Sequence, residues 1–172
     1  MKKFVKMMFV SALVVMSVGS FNTANVQAAS HRYVHTLKVT SLFAKGEQVS
    51  GGLGDPKYNF STVTDRALSA NSDWYTDQTA DSVDTVTGYS RVATNEWVKN
   101  SDVVYVNKED TAYAMETYRA YPIFSFNANS YRMEKTNQTL PAGNWLVGTF
   151  MSFPDEPSYY QVGGNQWIQM KE

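Results

Sequence analysis

The chain has 172 residues, 43% of them hydrophobic and 14% aromatic, with a formal net charge of -1 and no cysteine. This length fits one domain or two small ones. The lack of cysteine excludes disulfides, Cys-ligated metal centres and thiol catalysis, and a pI near 6.1 argues against a basic nucleic-acid-binding face. The only two histidines, His31 and His35, offer little for a multi-histidine metal site, so we expect no cofactor and no metal.

Residues 1–28 have the pattern of a secretory signal peptide. Lys2, Lys3 and Lys6 form a basic start, Met7–Val18 is apolar apart from two serines, and residues 26–28 place small side chains before the expected cleavage point. The apolar run of about twelve residues is too short to span a bilayer, so we expect no membrane anchor once the segment is cleaved. Cleavage removes bases and no acids, which makes the exported chain acidic. An exported chain without cysteine suits a Gram-positive envelope.

An internal repeat indicates two copies of one module. Tyr89–Val98 (YSRVATNEWV) and Tyr159–Ile168 (YYQVGGNQWI) carry the same Tyr, Val, Asn and Trp in the same register. Arg66–Trp74 precedes the first block as Gln138–Trp145 precedes the second, with Leu and Ala at matching places. A duplicated module is the simplest explanation of both matches.

Each repeated block is predicted to form a β-hairpin. Gly164–Asn165 lies between a Tyr/Val stretch and Trp167–Ile168, which is typical of a tight turn that needs a positive φ. Thr94–Asn95 takes this place in the first copy, and Asn is the non-glycine residue that best tolerates a positive φ. We therefore interpret Asn95 and Asn165 as turn formers.

The remaining patterns favour a mainly β chain. Leu68–Trp74 and Leu140–Trp145 are predicted to be short strands or strand entries, each followed by a polar, acidic loop, and Gly46–Pro56 is predicted to be a long glycine-rich loop. Lys108–Arg119 fits a helix and an extended connector equally well. We expect two tandem small SH3-like β modules, at residues 29–106 and 107–172, that meet near Val103–Thr117, with a short helix left open for the connector.

Two motifs of the first copy carry a family resemblance. They are R-x-L-x-A-x-x-x-W, from Arg66 to Trp74, and Y-x-R-V-A-T-N-E-W-V-K-N-S-D-V, from Tyr89 to Val103. Together they resemble the surface-layer protein (SLAP) domain of lactobacilli. The second copy matches the same motifs at Leu140, Pro141, Ala142, Trp145, Tyr160, Val162, Asn165, Trp167 and Ile168.

The resemblance implies a non-catalytic envelope domain, found in tandem, that holds proteins noncovalently on the cell wall. Its implied ligands are wall polymers such as teichoic acid or polysaccharide. The chain departs from the family in two ways: it is acidic where such anchoring domains are basic, and its second copy ends at QMKE without the Ser-Asp-Val close. A lattice-forming S-layer protein would also need a large region for assembly, for which the exported chain is too short. We therefore expect an S-layer-associated or wall-associated small protein.

Several side chains are candidates for ligand binding. Trp74, Tyr75, Trp145 and Tyr160 have flat faces on which sugar rings could stack, and Tyr75 and Tyr160 are expected to be exposed because each adjoins a better core candidate. The repeated Trp97 and Trp167 are expected to lie in the core instead. Arg91 and Lys99 could belong to a basic face that meets an anionic polymer, or to a scatter of solvated charges.

The sequence offers little for catalysis. Asp73, Asp77, Asp81 and Asp84 lack the spacing of a calcium loop, so we expect a solvated acidic loop. A Ser–His–Asp mechanism would depend on histidines close to the expected mature N-terminus, where chains are usually loose. We therefore expect an exported non-enzymatic protein that attaches to a wall polymer or an S-layer. The alternative is a secreted adhesion or structural protein that binds other proteins or host glycans.

Overall fold

The structure is a computed structural model that describes residues 31–50, 55–84 and 88–170. The predicted signal peptide and residues 51–54 of the predicted glycine-rich loop lie outside the described residues. The strands are β1 (His31–Thr36), β2 (Thr40–Ser50), β3 (Lys57–Leu68), β4 (Ser72–Tyr75), β5 (Thr79–Ser82), β6 (Tyr89–Ala93), β7 (Glu96–Lys99), β8 (Val104–Thr117), β9 (Tyr121–Asn127), β10 (Arg132–Leu140), β11 (Gly143–Ser152), β12 (Tyr159–Gly163) and β13 (Gln166–Gln169). This confirms the prediction of a mainly β chain.

These strands form one open sheet and one closed barrel. The open sheet has eight strands in the order β10-β9-β13-β12-β11-β8-β1-β4, and the barrel closes through β2-β3-β5-β6-β7. All pairs are antiparallel except β3 with β5. Because β1, β4 and β8 belong to the open sheet while β2, β3 and β5–β7 belong to the barrel, the chain crosses between the sheet and the barrel four times, after β1, β3, β4 and β7. Within the described residues, no helix is long and apolar enough to cross a membrane.

The connector between the two copies is a strand. Lys108–Arg119, for which a helix was left open, is extended and belongs to β8 as far as Thr117. β8 pairs with β1 on one side and with β11 on the other, so its backbone groups are satisfied by two neighbours and not by a helix. Of the described residues, only the 3-10 turn Asn100–Asp102 is helical. The predicted module boundary at residue 106 falls inside β8, and the division into modules stays a prediction.

Two loop predictions are too wide. Gly46–Ser50 belongs to β2, so the predicted glycine-rich loop shrinks to the residues between β2 and β3. The acidic loop after Trp74 contains β5, which the barrel recruits as the parallel neighbour of β3. In the first place pairing with the following strand β3, and in the second pairing with β3 and β6, overrides the glycine-rich or polar composition.

Equivalent residues of the repeat pack in two separate clusters. The first cluster surrounds Leu42, Val34 and Val103, and the second surrounds Ile123. Matching members are Leu68 with Leu140, Trp74 with Trp145, Val92 with Val162, and Val98 with Ile168. Trp97 and Trp167 point to the opposite side of their strands and are 2% and 4% exposed, so both lie in the core as expected.

The repeat extends further upstream than the sequence motifs indicated. Phe43 of β2 pairs with Trp97, and Phe124 of β9 pairs with Trp167, so these strands occupy the same place beside their hairpins. In both hairpins the turn asparagine reaches this neighbouring strand. Asn95 Oδ1 accepts a hydrogen bond from the Lys45 amide at 3.1 Å. Asn165 Oδ1 accepts one from the Phe126 amide at 2.8 Å.

The two hairpin turns differ in backbone conformation. Both turns form where they were predicted, and Asn95 has a φ of 53°, which confirms the expected left-handed residue there. The expected positive φ at Gly164–Asn165 is wrong, since neither residue is among those with a positive φ. In this second turn the side-chain Nε2 of Gln161 donates a hydrogen bond to the Gly164 carbonyl and ties the turn to β12.

Candidate functional site

A large cleft lies where the barrel meets the open sheet. This central cleft encloses about 760 Å³ between β5 and the 3-10 turn on one side and the loop from β11 to β12 on the other. Its apolar walls are Tyr105, Phe150, Phe153, Pro154 and Pro157. The rings of Tyr105 and Phe150 lie 5.8 Å apart, centroid to centroid. Both halves of the chain are therefore needed to build it.

The polar lining of the central cleft is acidic. Asp81, Asp155 and Glu156 contribute carboxylates, and hydroxyl and amide groups from serines, Thr79 and Asn100 complete the lining. Among the described residues that line this cleft there is no lysine or arginine. The electrostatic potential there disfavours anions.

A second cleft, of about 580 Å³, adjoins the central one. Thr79 and Asp81 of β5 line both, so β5 is their shared wall. This barrel cleft adds Arg32, Lys45 and Tyr58. The Lys45 ammonium lies 4.3 Å from the centroid of the Tyr58 ring, so its charge already has an aromatic partner.

A third cleft, of about 350 Å³, adjoins the central cleft at the loop between β11 and β12. Phe153, Pro154 and Glu156 line both this turn cleft and the central cleft. The turn cleft adds Tyr131 and Arg132, which lie where β9 turns into β10. The three clefts are neighbours that share lining residues, and such a row offers room for an extended ligand.

Two buried polar atoms on the paired strands β1 and β8 have no hydrogen-bond partner in the described part of the chain. They are Nε of Arg32 and Oδ1 of Asn107. The two residues face each other in the register of β1 and β8, and the Asn107 amide nitrogen donates to Glu109 Oε1 at 2.6 Å. Burial raises the pKa of the neighbouring Tyr105 phenol, and the Arg32 guanidinium opposes that rise. Arg32 thus lies close to the phenol that lines the central cleft.

The four aromatic candidates lie on different surfaces. Tyr75 is 61% exposed on the edge strand β4, as expected. Trp74 packs partly buried against the first cluster, and its indole donates to Ser72 Oγ at 2.8 Å. Trp145 and Tyr160 pack partly buried against the second cluster. The expected exposure of Tyr160 is wrong, because both faces of the sheet are covered at this strand.

The two basic candidates lie on neighbouring strands of one hairpin, and one of them is already paired. Arg91 Nε donates to Asp77 Oδ1 at 2.8 Å, and Nη2 donates to the other carboxylate oxygen. This pair lowers the pKa of Asp77 and raises that of Arg91. Lys99 lies opposite Tyr89 in the hairpin β6–β7. None of the six predicted binding residues lines the three clefts.

His35 is part of the packed structure. The expectation that it belongs to a loose N-terminus is wrong, since β1 lies between β4 and β8 in the open sheet. Its Nδ1 is 2.7 Å from Asp73 Oδ1, and its ring stacks on Tyr131 with the centroids 3.4 Å apart. Neither partner is a serine nucleophile. Two residues of the acidic run thus have basic partners, Asp73 with His35 and Asp77 with Arg91. The described residues contain no group of side chains able to hold a metal ion.

Sequence reasoning missed the residues that line the clefts. Arg32, Tyr105 and Phe150 belong to β1, β8 and β11, and only strand pairing brings them together. No local sequence motif identifies these residues, although Tyr105 and Phe150 are aromatic residues in stretches rich in β-forming residues. Comparison of the sequence with protein-family models and with curated proteins found no match.

Proposed function

We propose that this chain is an exported, non-catalytic protein of a Gram-positive cell surface that attaches noncovalently to a wall polymer or associates with an S-layer. The observation that carries this proposal is a row of three neighbouring clefts, lined by both halves of the chain, that share lining residues. A polymer of repeated units can place successive units in neighbouring clefts. The signal-peptide pattern and the resemblance to the SLAP domain support the same function from the sequence.

The chemistry of the clefts supports a carbohydrate component in that polymer. Ligand sites combine apolar and aromatic walls with a few polar groups that fix orientation. Tyr105 and Phe150 offer ring surfaces, and the carboxylates of Asp81 and Asp155 accept hydrogen bonds from hydroxyl groups. The proposal includes no bond-breaking step, since the contacts of His35 are structural.

Sedimentation with purified wall sacculi tests the proposal. We expect the protein to pellet with sacculi, and we expect Phe150→Leu in the central cleft to weaken pelleting several-fold. Tyr118→Leu is the matched control, because Tyr118 is an aromatic residue that is 83% exposed and lies outside the three clefts.

Acid stripping of teichoic acids from the sacculi then separates the ligands. Pelleting that is lost on stripping assigns the ligand to the stripped polymer, and pelleting that survives assigns it to peptidoglycan. A protein that pellets with neither preparation contradicts wall attachment and favours the secreted adhesion alternative.

A further inference from the structure

We infer that the open edge of β8 at Ala112–Thr117 docks an extended strand of a partner protein by β-sheet pairing. This site goes beyond the proposed wall attachment, because none of its residues lines the three clefts. The inference is carried by a difference between the two copies. A strand covers this edge in the first copy, and in the described part of the chain no strand covers it in the second.

Ala112–Thr117 holds the same place in the second copy as β1 holds in the first. β1 pairs with β4 so that Val34 lies opposite Trp74. This half of β8 pairs with β11 so that Met115 lies opposite Trp145. Each strand ends in a threonine whose hydroxyl accepts a hydrogen bond, at 3.1 Å, from the first amide of the paired strand. The two strands are therefore equivalent.

In the first copy a third strand lies along the other edge of β1. Residues 104–108 of β8 pair with β1 in antiparallel register, and Tyr105 lies opposite Val34. This pairing stops at Lys108, so β1 does not extend along the second half of β8. Among the described residues, β11 is the only strand that pairs with Ala112–Thr117. The edge on the side away from β11 is therefore open.

The exposure of equivalent residues follows this difference. Val34 and His35 of β1 are 0% and 7% exposed. Their equivalents in β8 are more open, since Met115 is half-buried and Glu116 is exposed. Tyr113, which precedes them by two residues or more, is 45% exposed. An open strand edge in water is a template for pairing with another chain.

The backbone groups of Ala114 face this open edge. In β1 the Arg32 carbonyl accepts a hydrogen bond from the Thr76 amide at 3.0 Å, on the side of β4. Bonds to the two neighbours of a strand alternate along an antiparallel sheet, so the next residue, Tyr33, bonds on the side of β8. Ala114 is the equivalent of Tyr33, and its N–H and C=O are thus available to a new strand.

The chemistry of the edge specifies the strand that fits it. Tyr105 packs against the first cluster from its place opposite Val34. Met115 packs against the second cluster, so the docked strand needs an apolar or aromatic residue opposite it. Residues 109–117 (EDTAYAMET) contain three acids and no lysine or arginine, which favours a strand that carries a basic residue.

A second copy of the chain is a poorer occupant of this edge. Its own open edge carries the same acidic residues, and like charges on facing strands are destabilising. Its residues 105–108 have the required pattern, but β1 and β11 already pair with them on both sides. The occupant is therefore a strand of a different protein.

A peptide of residues 103–108 (VVYVNK) is the probe, because this segment covers the equivalent edge in the first copy. The peptide is titrated into the exported protein, and binding is followed by NMR. We expect saturable binding, with the largest amide shifts at Ala112–Thr117. The peptide supplies Tyr105 for the contact with Met115 and Lys108 for the acidic strand.

Two N-methylated peptides test whether backbone pairing holds the strand. Val106 lies opposite Tyr33 and therefore bonds toward the edge that it covers, whereas Tyr105 bonds toward the other side. N-methylation at Val106 is expected to weaken binding at least about tenfold, because it removes a donor and fills the space of the facing carbonyl. N-methylation at Tyr105 is the matched control and is expected to change the affinity by less than about threefold.

Variants of Ala114 locate the site. Ala114→Pro removes the amide that faces the open edge, and proline is tolerated on an edge strand where the N–H faces solvent. Ala114→Ser is the matched control, because it keeps the amide. We expect the proline variant to bind the peptide at least about tenfold more weakly, and the serine variant to stay within about twofold of the wild type. Circular dichroism verifies folding, and the N-methylated peptides test the pairing on the unaltered protein if Ala114→Pro does not fold.

The inference is overturned if the folded protein does not bind the peptide, if the amide shifts lie elsewhere, or if both N-methylated peptides bind equally well. Sedimentation velocity adds one more outcome. A wild-type dimer that Ala114→Pro dissociates assigns the edge to a second copy and also overturns the inference. Pelleting with wall sacculi tests wall attachment independently of all these outcomes.

Discussion

Thr36→Val tests the buried hydroxyl that holds the corner between β3 and β4. Thr36 is fully buried, and its Oγ1 accepts a hydrogen bond from the Ser72 amide at 3.1 Å. The same hydroxyl lies 2.6 Å from the Ser69 carbonyl, to which it donates. Valine has nearly the same shape as threonine, so the substitution removes these hydrogen bonds and leaves the packing in place.

The expected cost follows from what valine leaves unpaired. The Ser72 amide loses its acceptor and the Ser69 carbonyl loses its donor, and a buried group left without a partner costs about 1–3 kcal/mol. Since Ser69 is exposed, water can replace the bond to its carbonyl. We therefore expect the free energy of unfolding to fall by about 2 kcal/mol, which corresponds to a Tm lowered by about 4–8 °C.

Urea unfolding followed by tryptophan fluorescence measures this loss, and Thr40→Val is the matched control. Thr40 is also buried, but its hydroxyl makes one hydrogen bond, to the carbonyl of the exposed Lys38 at 2.9 Å. We expect the control to lose less than about 1 kcal/mol. The reasoning is refuted if Thr36→Val costs no more than Thr40→Val.

Three further predictions concern the second copy and the charged groups. Thr117→Val is expected to lower the free energy of unfolding by as much as Thr36→Val in the same urea assay. The reason is that Thr117 Oγ1 accepts a hydrogen bond from the Gly143 amide at 3.1 Å at the equivalent corner of the second copy. A Thr117→Val variant as stable as the wild type would contradict this equivalence. Arg91→Gln is expected to raise the pKa of Asp77, measured by NMR titration, because the guanidinium that lowers this pKa is removed. The loss of stability in this variant should be complete above the ordinary Asp pKa of about 3.9 and should vanish as the pH falls through the lowered pKa of Asp77 in the wild type. An unchanged pKa of Asp77 would contradict the pair. Burial and a hydrogen bond to Glu156 raise the pKa of Tyr159, so its contribution to stability should be complete below about pH 10 and decline above it. Tyr159→Phe should flatten that alkaline decline in urea midpoints, and an identical decline in both proteins would refute the assignment.

The hairpins could be predicted because their signals are local. Asn95 at its turn, and the alternation that turns Trp97 inward, depend on residues within a few positions of each other. The upstream half of the repeat could not be recognised so easily. Its Thr36/Thr117 and Phe43/Phe124 matches are sparse, and the differing lengths of the segments after β2 and β9 change the register between the copies.

The binding residues were harder to predict than the fold. The aromatic candidates were chosen by their position next to core residues, and for Tyr160 that reasoning fails because the second cluster covers the other face of its strand. Arg91 was chosen as a free cation, but Asp77 holds it. Exposure and charge pairing depend on which strands are neighbours, and local sequence does not specify this.

The sequence alone determined the strand-rich character of the chain, its two hairpins and the inward position of their tryptophans, since period-two alternation and turn residues act over short distances. Only the tertiary structure decided that Lys108–Thr117 is a strand, because β11 pairs with it at Lys108 and along residues 113–117. It alone placed His35 in the sheet and brought Arg32 of β1 opposite Asn107 of β8. These features arise from pairing between segments far apart in the chain, and such pairing is set by the packing of the whole molecule.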